Sequence, residues 1–235
     1  MSSVSVVIPA RNEEKHIAKV IELVKKCSLI DEIVVINNNS SDKTAEIAEK
    51  AGAKVYLCKK VGKGNAMLLG LKKAKGDVIL YADADIENYG EDFISKMLTP
   101  ILKDKYSFVK STFDRSQGRV TTLVAKPLLE LTYPRIAKFH QPLSGIIAGK
   151  RNLFERMTFE KDYGVDIGIL IDAYKLGAKV KEVDIGKIEN DSQDWRNLVD
   201  MSKQVTKAIL KRKFKANIKK LENLENSDLE KMLSN

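Results

Sequence analysis

Two periods of apolar spacing alternate along the first half of the chain, and each switch marks the start of a new element. Val4 to Pro9 is a short apolar run rich in β-branched residues, which predicts a buried strand stopped by Pro9. Ile17, Val20, Ile21 and Val24 then recur at helical spacing, with Lys and Glu on the opposite face. Glu32 to Ile36 predicts a second strand, and Asn37 to Asp42 offers several N-cap residues for a helix through Lys50. Gly52 ends that helix and Lys54 to Leu57 forms a third strand. Gly62-Lys63-Gly64 opens a helix striped by Met67, Leu68, Leu71 and Ala74, closed at Gly76, before the run Val78 to Ala82. Strands separated by helices of this length predict an α/β fold, a mostly parallel Rossmann-like sheet with helices on both faces.

The second half is less regular. Ser107 to Lys110 and Lys179 to Ile185 read as strands, and Gln141 to Ala148 as a loop and strand. Val120 to Phe139 reads as a helix kinked or broken at Pro127. Tyr163 to Leu176 is a helix with Ile167, Leu170, Ile171 and Tyr174 on one face and Gly177 as its stop. From Trp195 the chain is helical, and Lys219 to Asn235 is so polar that it is expected to pack outside the core. One domain over residues 1–210, with a helical extension over 211–235, accounts for this pattern.

Composition narrows the function classes. The chain has 235 residues, 43% hydrophobic and 31% charged, as in ordinary globular proteins. It has no apolar stretch of the ~20 residues that span a bilayer, and its N-terminus has no basic-then-apolar leader. A cytoplasmic location is therefore expected. Cys27 and Cys58 form no metal motif, and His16 and His140 are too few for a histidine-based centre. The net charge of +9 admits anionic partners, but aromatic residues are only 6% and no basic-aromatic module appears, so no nucleic-acid partner is expected. The run Lys207 to Lys220 reads as the solvated face of a helix.

The candidate chemistry lies at strand ends. Asp83-Ala84-Asp85 follows a buried strand directly, where open α/β sheets place their ligands. Two carboxylates so close call for a strong donor or a hard cation such as Mg²⁺ or Mn²⁺ shared with substrate phosphates. Three other loops fall on the same sheet edge: Pro9-Ala10-Arg11-Asn12-Glu13-Glu14, Asn37 to Asp42, and Gly62-Lys63-Gly64-Asn65-Ala66. Together they can supply a base-and-ribose pocket, a lysine for a diphosphate, helix-start N–H groups and a metal-binding carboxylate. Singly, D-x-D fits a solvated turn and Gly-Lys-Gly a plain turn; their order, one per strand end, carries the inference.

That order resembles the nucleotide-sugar glycosyltransferases of the GT-A fold. Later segments are similar to the glucosyl-3-phosphoglycerate synthases among them: Gly118-Arg119-Val120-Thr121, Leu123 to Leu129, Gln141-Pro142-Leu143-Ser144-Gly145, Tyr163 to Asp172, and Met201 to Val205. The resemblance covers roughly residues 4 to 210. It implies metal-dependent, retaining transfer of glucose from UDP-glucose or another nucleotide-glucose to the 2-hydroxyl of 3-phosphoglycerate, by a homodimer. By position it places Pro9, Ala10, Glu13, Asn38, Lys63, Asp83 and Ala84 at the donor, and Asp85 at the metal. Arg119, Thr121 and Ser192 fall at the small anionic acceptor, Asn190 at the metal, and Asp166 beside the donor sugar. Without the resemblance, Arg119 reads as a surface arginine and Asp166 as an acid at a helix start; Gln141, Tyr163 and Asp172 suit structural roles equally well.

Three departures separate this chain from that family. Asn37-Asn38-Asn39 stands where an acid and a glycine are usual, which bears on nucleotide preference. Asn190 replaces a metal-ligating histidine and Ser192 an acceptor-binding asparagine, with Glu189 and Asp191 beside them. The chain is also shorter than usual. Rival readings are the same fold acting on another acceptor such as a polyprenyl phosphate, a nucleotidyltransferase, and a non-catalytic nucleotide-sugar-binding protein. Pro9 to Glu14 contains no glycine, which counts against the nucleotidyltransferase.

Overall fold

The structure, a computed structural model, describes residues 2–86, 88–114, 118–188 and 195–214. Its seven-stranded sheet has the order β3-β2-β1-β4-β6-β5-β7. The strands are β1 (Val4–Ala10), β2 (Glu32–Asn37), β3 (Lys54–Leu57), β4 (Val78–Tyr81), β5 (Phe108–Asp114), β6 (Ile147–Lys150) and β7 (Val180–Lys187). β1 pairs in parallel with β2 and β4, β2 with β3, and β5 with β7, while β6 runs antiparallel between β4 and β5. The helices are α1 (Ile17–Lys25), α2 (Thr44–Lys50), α3 (Lys63–Lys73), α4 (Phe93–Leu102), α5 (Lys126–Thr132), α6 (Pro134–Ala137), α7 (Arg151–Phe154), α8 (Gly164–Lys175) and α9 (Trp195–Lys213). A π-helical turn, Thr121–Ala125, leads into α5.

Both faces of the sheet are covered, so its central strands are apolar on both sides. Val4, Val6, Ile8 and Ala10 of β1 face a core completed by α1 and α4; Val7 faces the other, completed by α3, α8 and α9. The predicted stripe Ile17, Val20, Ile21 and Val24 is fully buried, each side chain contributing ~1.5–3 kcal/mol of apolar burial. On α8 burial goes all round from Gly164 to Ile171, but Tyr174 of the predicted face is exposed. The chain's direction across the sheet reverses between β1 and β4, which makes the crevice beyond their C-terminal ends the natural ligand site.

Two differences from the sequence reading lie at prolines. Pro9 does not end β1 but pairs opposite Ile36, one residue before the end. The Val4 and Ala10 carbonyls bond toward β2, and the Val7 carbonyl toward Ala82. By this alternation Pro9 turns its donor-free nitrogen toward the β4 side, where pairing has already stopped at Val7–Tyr81. The helix expected from Val120 to Phe139 breaks not at Pro127 but at Tyr133, whose backbone (φ −141°, ψ 66°) is outside the helical region that a following Pro134 disfavours. Pro127 follows the π-helical turn directly, and the chain passes through it into α5 without a break. α4 had no counterpart in the sequence reading, and the 210/211 boundary falls inside α9. Residues 219–235 lie outside the described residues.

Candidate active site

A cavity of about 470 Å³ opens at the C-terminal ends of β1, β2 and β4. It is lined by Pro9, Ala10, Glu13 and Asn38 from the first two strand ends, by Lys63, Asp83, Ala84, Asp85 and Asp166, and by Arg119 and Thr121. Every site residue named from the sequence that lies among the described residues therefore lines one cavity. Gln141 and Tyr163 line it too, whereas Asp172 does not and binds Arg212 instead. Asn190 and Ser192 lie outside the described residues, as do Glu189 and Asp191; Ile188, just before them, is in the cavity wall.

An ion cluster is built around Lys63, from the first turn of α3. Its Nζ sits 2.9 Å from Asp83 Oδ1 and 3.0 Å from Asp166 Oδ2. Burial alone would lower this lysine, but the charges of Asp166 and Asp83 outweigh it and hold the ammonium above its ordinary range. Asp166, the third residue of α8, is 2% exposed. Burial pushes its carboxyl up against the pull of Lys63, and its Oδ1 has no hydrogen-bond partner among the described residues. Such an orphaned acceptor is costly unless a ligand donates to it. Tyr89 braces Asp83 from below, its hydroxyl donating to Asp83 O (3.2 Å) and accepting from Asp83 N (3.1 Å), with its ring stacked on Phe93.

Close backbone approach explains the Gly-Lys-Gly sequence. A Cβ on Gly64 would lie 1.7 Å from Glu160 O, and one on Gly62 (φ +134°) 2.3 Å from Lys161 O. The glycines let the 158–163 loop, which leads into α8, press against the start of α3. Two donors expected there for phosphate are already used: Asn65 N donates to Lys161 O (3.1 Å), and Gly62 N to Asn38 Oδ1 (2.8 Å). Asn38 is itself committed, its Nδ2 donating to Lys60 O (2.8 Å) and Cys58 O (3.3 Å). It shapes the cavity by tying the loop after β2 to the loop before α3. Asn12 and Asn39, both with positive φ, lie in the loops after β1 and β2, which are clasped by Asn12 N to Ser40 Oγ, Ser41 N to Asn12 Oδ1, and Glu13 N to Thr44 Oγ1.

Around Asp85 the chemistry is that of oxygen donors. Burial pushes the nearby Glu13 carboxyl up, and the charge of Asp85 adds to the rise, while His16 opposes it through a hydrogen bond. A cation placed here would relieve that repulsion. Among the described residues no three His, Cys, Asp or Glu side chains converge on a point. Carboxylate oxygens such as those of Asp85 and Glu13 suit a hard cation, which also takes water and substrate oxygens.

Sequence reasoning missed three contributors. Gly145 lies against the ion cluster: a Cβ there would be 2.2 Å from Lys63 Nζ and 2.7 Å from Asp83 Oδ1. Lys110 is wholly buried in β5, which runs on to Asp114, whereas the sequence reading ended its strand at this lysine. Arg212, expected on a solvated face, is 7% exposed and pairs with Asp172 (2.9 Å) and Glu160 (2.8 Å), pinning α9 to α8 and to the 158–163 loop.

Residues 5–162 match glycosyl transferase family 2. The chain belongs to that family. Glucosyl-3-phosphoglycerate synthase of Petrotoga mobilis is 37% identical over 236 residues, an alignment covering 89% of this chain and 73% of the relative. The glucosyl-3-phosphoglycerate synthase of Mycobacterium tuberculosis, solved with Mn²⁺, UDP-glucose and phosphoglyceric acid, superposes with a TM-score of 0.86 at 34% identity, covering 90% of this chain and 79% of that one. The same enzyme with Mg²⁺ and UDP gives the same TM-score, identity and coverage. A family 2 member with this sheet and cavity is a glycosyltransferase of the GT-A fold. No helix among the described residues is long and apolar enough to cross a membrane.

Proposed function

We propose that this chain transfers glucose from UDP-glucose to the 2-hydroxyl of 3-phosphoglycerate, with Mg²⁺ or Mn²⁺ and retention of configuration at the sugar. The observation that carries the reading is a single cavity joining a carboxylate-lined strand end (Asp83, Asp85, Asp166) to an arginine–threonine pair (Arg119, Thr121). The first suits a sugar and a cation-bound diphosphate; the second suits an acceptor carrying phosphate and carboxylate. The Mycobacterium tuberculosis enzyme is solved with UDP-glucose, phosphoglyceric acid and Mn²⁺, and the shared sequence spans most of both chains.

Each residue then has a physical task. Pro9, Ala10, Glu13 and the Asn38-held loop wall the nucleoside. Lys63, locked between Asp83 and Asp166, fixes both carboxylates so that Asp83 faces the ribose and Asp166 offers Oδ1 to a glucose hydroxyl. Preorganised acceptors of this kind do not have to reorient during reaction. Arg119, on the exposed rim, grips the acceptor anion and Thr121 adds a hydroxyl, setting the nucleophilic oxygen near the sugar. Asp85 would hold a divalent cation together with water and substrate oxygens, and that cation would supply charge neutralisation for the leaving diphosphate. A cytoplasmic location and a homodimer belong to the same reading, resting on the sequence and the resemblance.

The test is UDP release from UDP-glucose with Mg²⁺, with and without 3-phosphoglycerate. Release that depends on phosphoglycerate supports the reading. Release driven only by a polyprenyl phosphate, or nucleotide-sugar binding with no turnover, overturns it.

A further inference from the structure

Lys110 points inward from β5 and is completely buried. Its Nζ donates to Ser144 O at 2.6 Å and reaches Asp166 O at 3.5 Å. Ser111 Oγ and Ser144 Oγ share a 2.6 Å hydrogen bond, and Ile146 N donates to Ser144 Oγ at 3.1 Å, so the loop is held at this residue from several sides. The Ser144 carbonyl belongs to the peptide that enters Gly145, and Gly145 is the backbone against which Lys63 and Asp83 rest. One ammonium thus holds, from behind, the loop under the Lys63–Asp83 pair and the first turn of α8 that carries Asp166. An apolar chain of the same length would fill this space without the cost of burying a charge, so a lysine here has an electrostatic task.

We infer that Lys110 is a positioning residue for the transfer proposed above, its buried positive charge keeping the Ser144–Gly145 peptide and Asp166 in register with Lys63. The inference rests on that functional reading. Four charged groups face it: Asp166 on α8, Lys63 on α3, Asp83 after β4, and Glu182, its opposite number on β7. Burial pulls the Lys110 ammonium down to about 8; Asp166, Asp83 and Glu182 oppose the fall and Lys63 adds to it. The side chain is therefore cationic below that pH and a neutral amine above it. Asp166 then loses one of its two nearby cations, and turnover falls on the alkaline side.

The test has two arms. In protein labelled with ¹⁵N-lysine and uniformly in the backbone, the Lys110 Nζ signal is titrated beside the amide signals of Gly145 and Asp166, using Lys110→Arg to assign it. We expect a common midpoint near pH 8. In the second arm, kcat for UDP-glucose and 3-phosphoglycerate is followed against pH. Lys110→Arg, charged throughout, moves the alkaline limb upward. Lys110→Met removes the limb and lowers kcat by about tenfold to a hundredfold, the span of one charge-assisted hydrogen bond, while Tm stays level or rises. A purely structural lysine would instead lower Tm and leave the limb in place. Gly145 and Asp166 amides that ignore the Lys110 titration, or a limb unmoved in Lys110→Arg, overturn the inference. A wild-type enzyme without turnover counts against the functional reading, and the spectroscopic arm still decides whether Lys110 is coupled to Asp166.

Discussion

Gly145→Ala is the smallest change that should disable the site without touching a side chain in it. The backbone of Gly145 is not in the left-handed region, so alanine is conformationally acceptable there. The new methyl, however, would lie 2.2 Å from Lys63 Nζ and 2.7 and 3.0 Å from the two Asp83 oxygens. Ordinary contact requires the ammonium to retreat by about 1 Å or more. Lys63 now bridges its two carboxylates at 2.9 and 3.0 Å, so that retreat breaks at least one bridge. A charge-assisted hydrogen bond is worth ~1.5–3 kcal/mol, which converts to a loss of roughly 10- to 150-fold in kcat/KM. Because the displaced atoms are flexible side-chain ends, the fold survives, with Tm lower by about 2–4 °C per kcal/mol lost. Steady-state kinetics with UDP-glucose and 3-phosphoglycerate, beside a melting curve, measures both. A Gly145→Ala enzyme with wild-type kcat/KM and Tm would show that the 144–145 peptide does not press on the Lys63–Asp83 pair.

Other changes probe the remaining parts. Arg119→Ala should raise KM for phosphoglycerate by the equivalent of ~1.5–3 kcal/mol and leave the donor Kd unchanged, read by kinetics and calorimetry; a loss of donor affinity instead would reverse the assignment. Asp85→Ala should cut turnover by orders of magnitude in a folded protein, and chelation of the wild type should do the same until Mg²⁺ or Mn²⁺ is restored; near-normal activity with saturating metal would refute the role. Arg212→Ala strands Asp172 and Glu160 in a half-buried pocket and should cost about 3–5 kcal/mol in urea unfolding, whereas an unchanged midpoint would deny that α9 is pinned there.

The four donor-side loops were legible because a parallel sheet puts every strand's C-terminal end on one edge, so order along the chain becomes proximity in space. Asp83 and Lys63 meet for that reason, whereas Asp166, 103 residues from Lys63, is brought to them by the start of α8. What stayed hidden depends on packing that pattern does not encode. Lys110 and Arg212 are charged residues, and in one dimension a charge reads as surface; each is buried because partners 34 to 56 residues away close around it. Pro127 and Pro134 look alike in sequence, but a π-helical turn carries the chain through Pro127 into α5, whereas the residue before Pro134 leaves the helical region. The second use of Gly-Lys-Gly was hidden for a similar reason, since its glycines make room for the 158–163 loop and the Asn65 amide binds it.

The measurement that bears most directly on the central claim is proton and phosphorus NMR of the product made from UDP-glucose, 3-phosphoglycerate and Mg²⁺. The account predicts one equivalent of UDP for each glucose moved. The new product should carry an α-anomeric glucosyl signal coupled to carbon 2 of the phosphoglycerate, with the 3-phosphate intact. Glucose released to water regardless of acceptor, a sugar attached at the phosphate, or a β-anomeric product would contradict it.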